Sequence, residues 1–204
     1  MLKEQLIARG IKDEAVLKVM GEIPRQDFVA KKDRSLAYED HPITIGQHQT
    51  ISQPYIVALM TQLLALKGHE KVLEIGTGSA YQTAILAKLA GKVFSLERIE
   101  KLARHARERL KDMNIQNVRI KLGDGSLGWP EKAPFDAIIV TAAAPGPPQA
   151  LLEQLSEGAS MLVPVGKAGN QKLQIWRKKM DKYSHKDISR VAFVPLIGAQ
   201  GWEK

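Results

Sequence analysis

The side chains of this chain that could do chemistry are few, and they gather around one glycine turn. Gly76 and Gly78 lie in Val72-Leu73-Glu74-Ile75-Gly76-Thr77-Gly78-Ser79-Ala80-Tyr81-Gln82-Thr83, an apolar run that turns through glycine into a helical pattern. Glycine tolerates positive φ and has no Cβ, so the backbone can turn tightly there and approach a ligand closely. Glu97 closes the next apolar run, which begins at Val93. An acid at the end of that strand is placed to accept hydrogen bonds from both hydroxyls of a ribose. The pattern predicts a nucleoside pocket formed by Gly76, Thr77, Gly78, Ser79 and Glu97.

The charged part of the nucleoside ligand is set by the sixth place of the glycine pattern. A dinucleotide site needs glycine or alanine there, so that helix and strand pack closely and a pyrophosphate can reach the helix start. This chain has Tyr81. A bulky ring argues against pyrophosphate and for a ligand whose charged part is an amino acid, as in S-adenosylmethionine. Gly123-Asp124-Gly125 follows the next apolar run. The Asp124 carboxylate can accept from an adenine amino group and Gly125 can shape the turn, although Asp-Gly is also a common turn pair.

A second constellation lies upstream, in Gln49-Thr50-Ile51-Ser52-Gln53-Pro54-Tyr55. A hydroxyl residue just before proline is a helix-start pattern. Such a start leaves backbone N–H groups unpaired beside a partial positive charge, which suits a bound carboxylate. Ser52 can either cap its own helix or donate to that carboxylate. His41, His69, His105 and His185 lack metal-ligand spacing with carboxylates, so no metal site is expected.

These residues must be held by regular elements, and the pattern of the chain supplies them. Residues 1–30 read as two short helices, the second capped by Asp13 and stopped by Gly21, with Pro24 beyond. Residues 31–53 read as loop, and 54–66 as helix. Strands are expected at 71–75, 92–97, 117–122, 135–141 and 160–165, with helices at 80–90, 99–112 and 147–155. Strands 172–178 and 188–196, with no helix between them, complete an antiparallel edge pair. The fold class is α/β, a doubly wound and mostly parallel seven-stranded sheet, because apolar strands alternate with amphipathic helices. At 204 residues the chain fits one domain, with 1–53 as a helical and loop extension lining the substrate site and 54–204 as the core.

Composition limits the alternatives. Cysteine is absent, which excludes disulfides, thiolate catalysis and cysteine-bound zinc. No apolar run approaches the roughly 18 residues of a membrane span, so a cytoplasmic protein without membrane association is expected. A net charge of +8 favours anionic partners, either nucleic acid, an acidic peptide or an isolated carboxylate, or reflects solvated basic faces.

Taken together, these stretches resemble the protein-L-isoaspartate (D-aspartate) O-methyltransferase family along nearly the whole chain. The matching text is Ile23-Pro24-Arg25 with Phe28-Val29, Gln49 to Tyr55, Val72 to Thr83, Gly123 to Gly125, Pro134 to Ala143, and Val194-Pro195-Leu196. The Thr-Ile-Ser-Gln-Pro block is the specific part, since many methyltransferases share the glycine loop. The resemblance implies a Rossmann-like methyltransferase fold and transfer of methyl from S-adenosylmethionine to the α-carboxylate of isoaspartyl, and some D-aspartyl, residues. The product ester then cyclises to a succinimide. By the same carry-over Ser52 is the active-site residue, Thr50, Ile51 and Ser52 line the substrate side, and Gly76, Thr77, Gly78, Ser79, Glu97, Asp124 and Gly125 hold the cofactor. The implied partners are damaged proteins and peptides, with no specific nucleic acid, and the expected state is a monomer.

Some positions depart from the commonest family text. Ala80 stands where glycine is frequent, which is tolerated if φ there is negative. The stretch 197–202 is expected near the active site. Trp129, Trp176 and Trp202 read as packing residues. A DNA amino-methylating enzyme is the runner-up, but Thr141-Ala142-Ala143-Ala144-Pro145 offers a target amine no acceptor side chain. A non-catalytic cofactor-binding module is a third reading, disfavoured because both segments are intact.

Overall fold

The computed structural model describes residues 1–203. Its centre is a seven-stranded sheet of β3 (Lys71–Ile75), β4 (Lys92–Glu97), β5 (Val118–Leu122), β6 (Phe135–Val140), β7 (Leu155–Val165), β8 (Gln171–Lys179) and β9 (Lys182–Val191), in the order β5-β4-β3-β6-β7-β8-β9. Strands β5, β4, β3, β6 and β7 run parallel, and β8 is antiparallel to both β7 and β9. The expected doubly wound α/β sheet with an antiparallel edge pair is therefore present.

Burial follows the strand patterns. β3 and β6 are buried almost throughout, as parallel strands covered on both faces must be. One core lies between the sheet, α2 (Pro54–Leu64) and part of α3 (Tyr81–Leu89), centred on Met60, Val72, Leu86 and Ile139. The opposite core, with Leu73, Phe94, Ile138 and Met161, is covered by α5 (Gln149–Glu153). A third cluster joins the N-terminal segment to α3 and α4 (Glu100–Asp112) through Phe28, Tyr81, Ala84 and Leu110.

The N-terminal extension starts with an irregular helical stretch, Leu2–Leu6 and Ile7–Arg9, followed by α1 (Glu14–Glu22). Asp13 caps α1 as expected, its Oδ1 accepting from the N–H groups of Ala15 and Val16 at 3.0 and 3.1 Å. Gly21 lies inside the helix, which ends one residue later.

Several boundaries differ from the sequence reading. Residues 31–53 are not simply loop: Lys31–Leu36 is a 3-10 turn, and β1 (Ile43–Gly46) pairs with β2 (Gln49–Ile51) as a hairpin. Gln47 and His48 form its turn at φ 53° and 56°. That turn usually announces itself by glycine or asparagine, so its signal was hidden. α2 stops at Leu64, where Ala65 takes φ 53°. β7 begins at Leu155 rather than 160, shortening the helix before it, and a register shift absorbs the extra length. β9 is Lys182–Val191, not 188–196, because Met180 and Asp181 make a tight turn at φ 51° and 55°. Its solvent-facing polar residues conceal an edge strand.

Candidate active site

The strand order reverses between β3 and β6, and that is where a doubly wound sheet offers a ligand site beyond its strand ends. Thr141 joins the two strand ends. Its N–H donates to the Ile75 carbonyl at 2.9 Å, and its Oγ1 donates to the carbonyls of Ile75 and Gly76 at 3.0 and 2.8 Å. Gly76 has φ 97°, and an added β-carbon would run into Thr141 Oγ1, so glycine is required twice over. Thr141 is a site residue that its apolar surroundings in the sequence did not announce.

The loop is tied down from beneath. Glu74 is fully buried, and its Oε2 accepts from Thr83 Oγ1 and Ser95 Oγ, both at 2.6 Å. Because Ser95 spends its proton on Glu74, the 2.6 Å contact between Thr77 Oγ1 and Ser95 Oγ has Thr77 as donor. Glu74 Oε1 has no partner among the described residues. Burial pushes the Glu74 carboxyl up to about 7, against the pull of those two hydroxyls.

Glu97 accepts from the Gly78 N–H and from the Ile99 N–H, each at 2.9 Å. Ser79 is held by Arg109, whose Nη1 donates to its carbonyl at 2.7 Å. Ala80 has φ 68°, so the condition set for an easy alanine is not met and the residue carries left-handed strain. Tyr81 is buried against Phe28, ring centroids 5.2 Å apart.

Three cavities adjoin at this point. One is lined by Gly76, Gly78, Glu97, Gly125, Leu196 and Ile197 among others. The second is bounded by Ile51, Ser52, Thr77, Ser79 and Tyr81. The third runs past Ser52, Gln53, Ile56, Arg190 and Phe193. Thr50 and Thr141 line all three. The expected residues Thr50, Ile51, Ser52, Gly76, Thr77, Gly78, Ser79, Glu97 and Gly125 thus converge.

Asp124 does not line any of these cavities. Burial would raise its pKa, but hydrogen bonds from the Ala199 N–H at 2.7 Å and from Ser126 Oγ and N–H at 2.7 and 2.8 Å prevail and lower it. The carboxylate ties the 197–202 stretch to the turn after β5. That stretch had been expected near the site, and Ile197 does reach the first cavity. Trp202 donates Nε1–H to the Ala143 carbonyl at 2.9 Å, while Trp129 packs edge-on to Phe94 and Trp176 stacks on His185.

Ser52 is not the helix cap. Gln53 holds that position, and no side chain caps the first turn of α2. Gln53 instead donates its amide to the Asp40 carbonyl at 2.9 Å. The start of α2 therefore keeps unpaired N–H groups, and the Ser52 hydroxyl is not spent on capping it.

The protein-L-isoaspartate(D-aspartate) O-methyltransferase family model matches residues 1–201. The chain belongs to that family. It is 50% identical over 204 residues to protein-L-isoaspartate O-methyltransferase 2 of Pelobacter propionicus, covering 99% of this chain and 91% of that one. A solved protein-L-isoaspartate O-methyltransferase superposes with a TM-score of 0.88 at 29% identity, over 98% of this chain and 67% of the other. A structure of a Plasmodium falciparum relative in complex with S-adenosyl-L-homocysteine gives 0.83 at 27% identity, covering 96% of each. The family's strand arrangement is thus the one built here, and the resemblance read from the Thr-Ile-Ser-Gln-Pro block is borne out.

Proposed function

We propose that this protein repairs aged proteins by transferring methyl from S-adenosylmethionine to the free α-carboxylate of L-isoaspartyl, and some D-aspartyl, residues. The observation that carries this reading is the meeting of cavities at Thr50 and Thr141: one bounded by the glycine loop and Glu97, and one bounded by Ser52 and Gln53. The donor set suits the cofactor. Glu97 offers lone pairs at the ribose end, Gly76, Thr77, Gly78 and Ser79 surround the middle, and Gly125 shapes the adenine end. Asp124 supports that end chiefly by fixing the turn and the 197–202 stretch around it.

When bound, S-adenosylmethionine supplies an electrophilic methyl and its own thioether leaving group. The acceptor carboxylate is already ionised at neutral pH, so the protein needs no strong general base. Its residues act by placement. Ser52 donates a hydrogen bond that orients the carboxylate, the unpaired N–H groups at the start of α2 favour its charge, and Thr50 and Ile51 keep water from the line of transfer. The groove past Ser52, Gln53 and Phe193 accommodates the flanking peptide. The protein works in the cytoplasm, as a monomer, on damaged proteins and peptides and not on nucleic acid. Among the described residues no helix is long and apolar enough to cross a membrane.

Repair itself is the test. Incubation of an isoaspartyl peptide with enzyme and S-adenosylmethionine should yield a succinimide and then the normal aspartyl peptide, resolved by chromatography. A peptide that stays isoaspartyl while unmodified control reactions are competent would overturn the reading.

A further inference from the structure

Among the described residues Arg25 is the largest fully buried side chain, at 0% exposure, and it has no carboxylate partner there. It sits on the 3-10 turn Arg25–Phe28, after Pro24. Its Nε donates to the Ala37 carbonyl and its Nη2 to the Ser52 carbonyl, both at 2.7 Å. The guanidinium carbon lies 4.9 Å from the centre of the Tyr81 ring. Nη1 and the Tyr81 hydroxyl each lack a hydrogen-bond partner among the described residues.

Burying a cation without an anion is costly, and burial pulls the Arg25 pKa down to about 10. If the space needed only filling, an apolar side chain would serve with less penalty. What a guanidinium adds is a rigid planar fork that can reach two separate carbonyls in one fixed geometry. Here those carbonyls belong to the 31–37 turn and to the residue that faces the acceptor groove, while the ring beneath belongs to the helix that follows the glycine loop.

We propose that Arg25 is a positioning residue for methyl transfer, holding the Ser52 peptide plane in fixed register with the glycine loop through Tyr81. The proposal rests on the assignment of Ser52 to the acceptor carboxylate. Fixing the Ser52 carbonyl fixes the backbone torsion that aims its hydroxyl. The buried positive charge also has the sign that favours an anion beside Ser52.

The test compares Arg25→Lys and Arg25→Ala with wild type in three measurements: kcat and KM on an isoaspartyl peptide, calorimetric affinity for S-adenosylhomocysteine, and amide hydrogen exchange over residues 49–56. Lysine keeps the charge but cannot span both carbonyls. Arg25→Lys should fold, keep cofactor affinity within about threefold, lose about 10- to 100-fold in kcat, and exchange faster at 49–56. Arg25→Ala should recover part of its kcat when guanidinium ion is added. The proposal is overturned by Arg25→Lys with kcat within twofold of wild type, by native exchange at 49–56, by activity lost only in proportion to the folded fraction, or by failure of Arg25→Lys to fold at all. Inactivity of the wild type on the peptide would instead overturn the assignment of the reaction, and the exchange measurement would still decide what Arg25 holds.

Discussion

Glu97 accepts the Gly78 N–H at 2.9 Å, so the acid at the end of β4 and the glycine loop after β3 are one structural unit. The same carboxylate also takes the Ile99 N–H at 2.9 Å, which fixes the entry to α4. Glu97 lines the same cavity as Gly76 and Gly125.

Glu97→Ala removes the proposed ribose acceptor and frees two backbone donors. Hydrogen bonds to a charged group contribute about 1.5–3 kcal/mol each, so cofactor affinity should fall by at least about tenfold. Calorimetry with S-adenosylhomocysteine measures this, and native affinity would contradict the ribose role.

Ser52→Ala removes the hydroxyl that α2 does not use as a cap. Turnover on an isoaspartyl peptide should drop about 10- to 100-fold, since misplacing the acceptor is the only loss. Cofactor affinity should stay native. A matching loss of both would mean that Ser52 belongs to the donor side.

Gly76→Ala places a β-carbon against Thr141 Oγ1 at a backbone φ of 97°. A residue forced into such a conformation costs about 1–3 kcal/mol. Thermal unfolding should show that loss together with weaker cofactor binding, and an unchanged melting temperature would refute the geometry of the β3–β6 junction.

Folding raises the Glu74 pKa from 4.5 to about 7 through burial. The folded state thus holds this proton more tightly. The group's contribution is fully present below about 4.5 and is lost as pH rises through about 7, an effect on the order of 3 kcal/mol. Glu74→Gln cannot ionise. The stability of Glu74→Gln relative to wild type should rise as pH increases from about 4.5 to about 7 and then level off. A pH-independent difference would show that Glu74 does not titrate in the folded state.

Much of this architecture could be read from local patterns, and the exceptions share a cause. The strands β3 and β6 are mostly apolar because both faces are buried, so Val72-Leu73 and Ile138-Ile139-Val140 declared themselves. β9 is polar because it lies at an edge, and the turn at Gln47-His48 uses residues that seldom adopt positive φ. Ser52 and Glu97 were legible as chemistry at strand and helix ends. Arg25 and Thr141 were not, because their roles consist of contacts to backbone carbonyls that are distant in the chain. Asp124 was legible as a turn residue, but its partner Ala199 is 75 residues away.

The most direct measurement is methyl transfer from labelled S-adenosylmethionine to three acceptors side by side: an isoaspartyl peptide, the same peptide with normal aspartate, and duplex DNA. The proposed seating of an isolated α-carboxylate between Ser52 and the glycine loop predicts label in the isoaspartyl peptide alone. Equal labelling of the aspartyl peptide, or label in DNA with none in the isoaspartyl peptide, would contradict it.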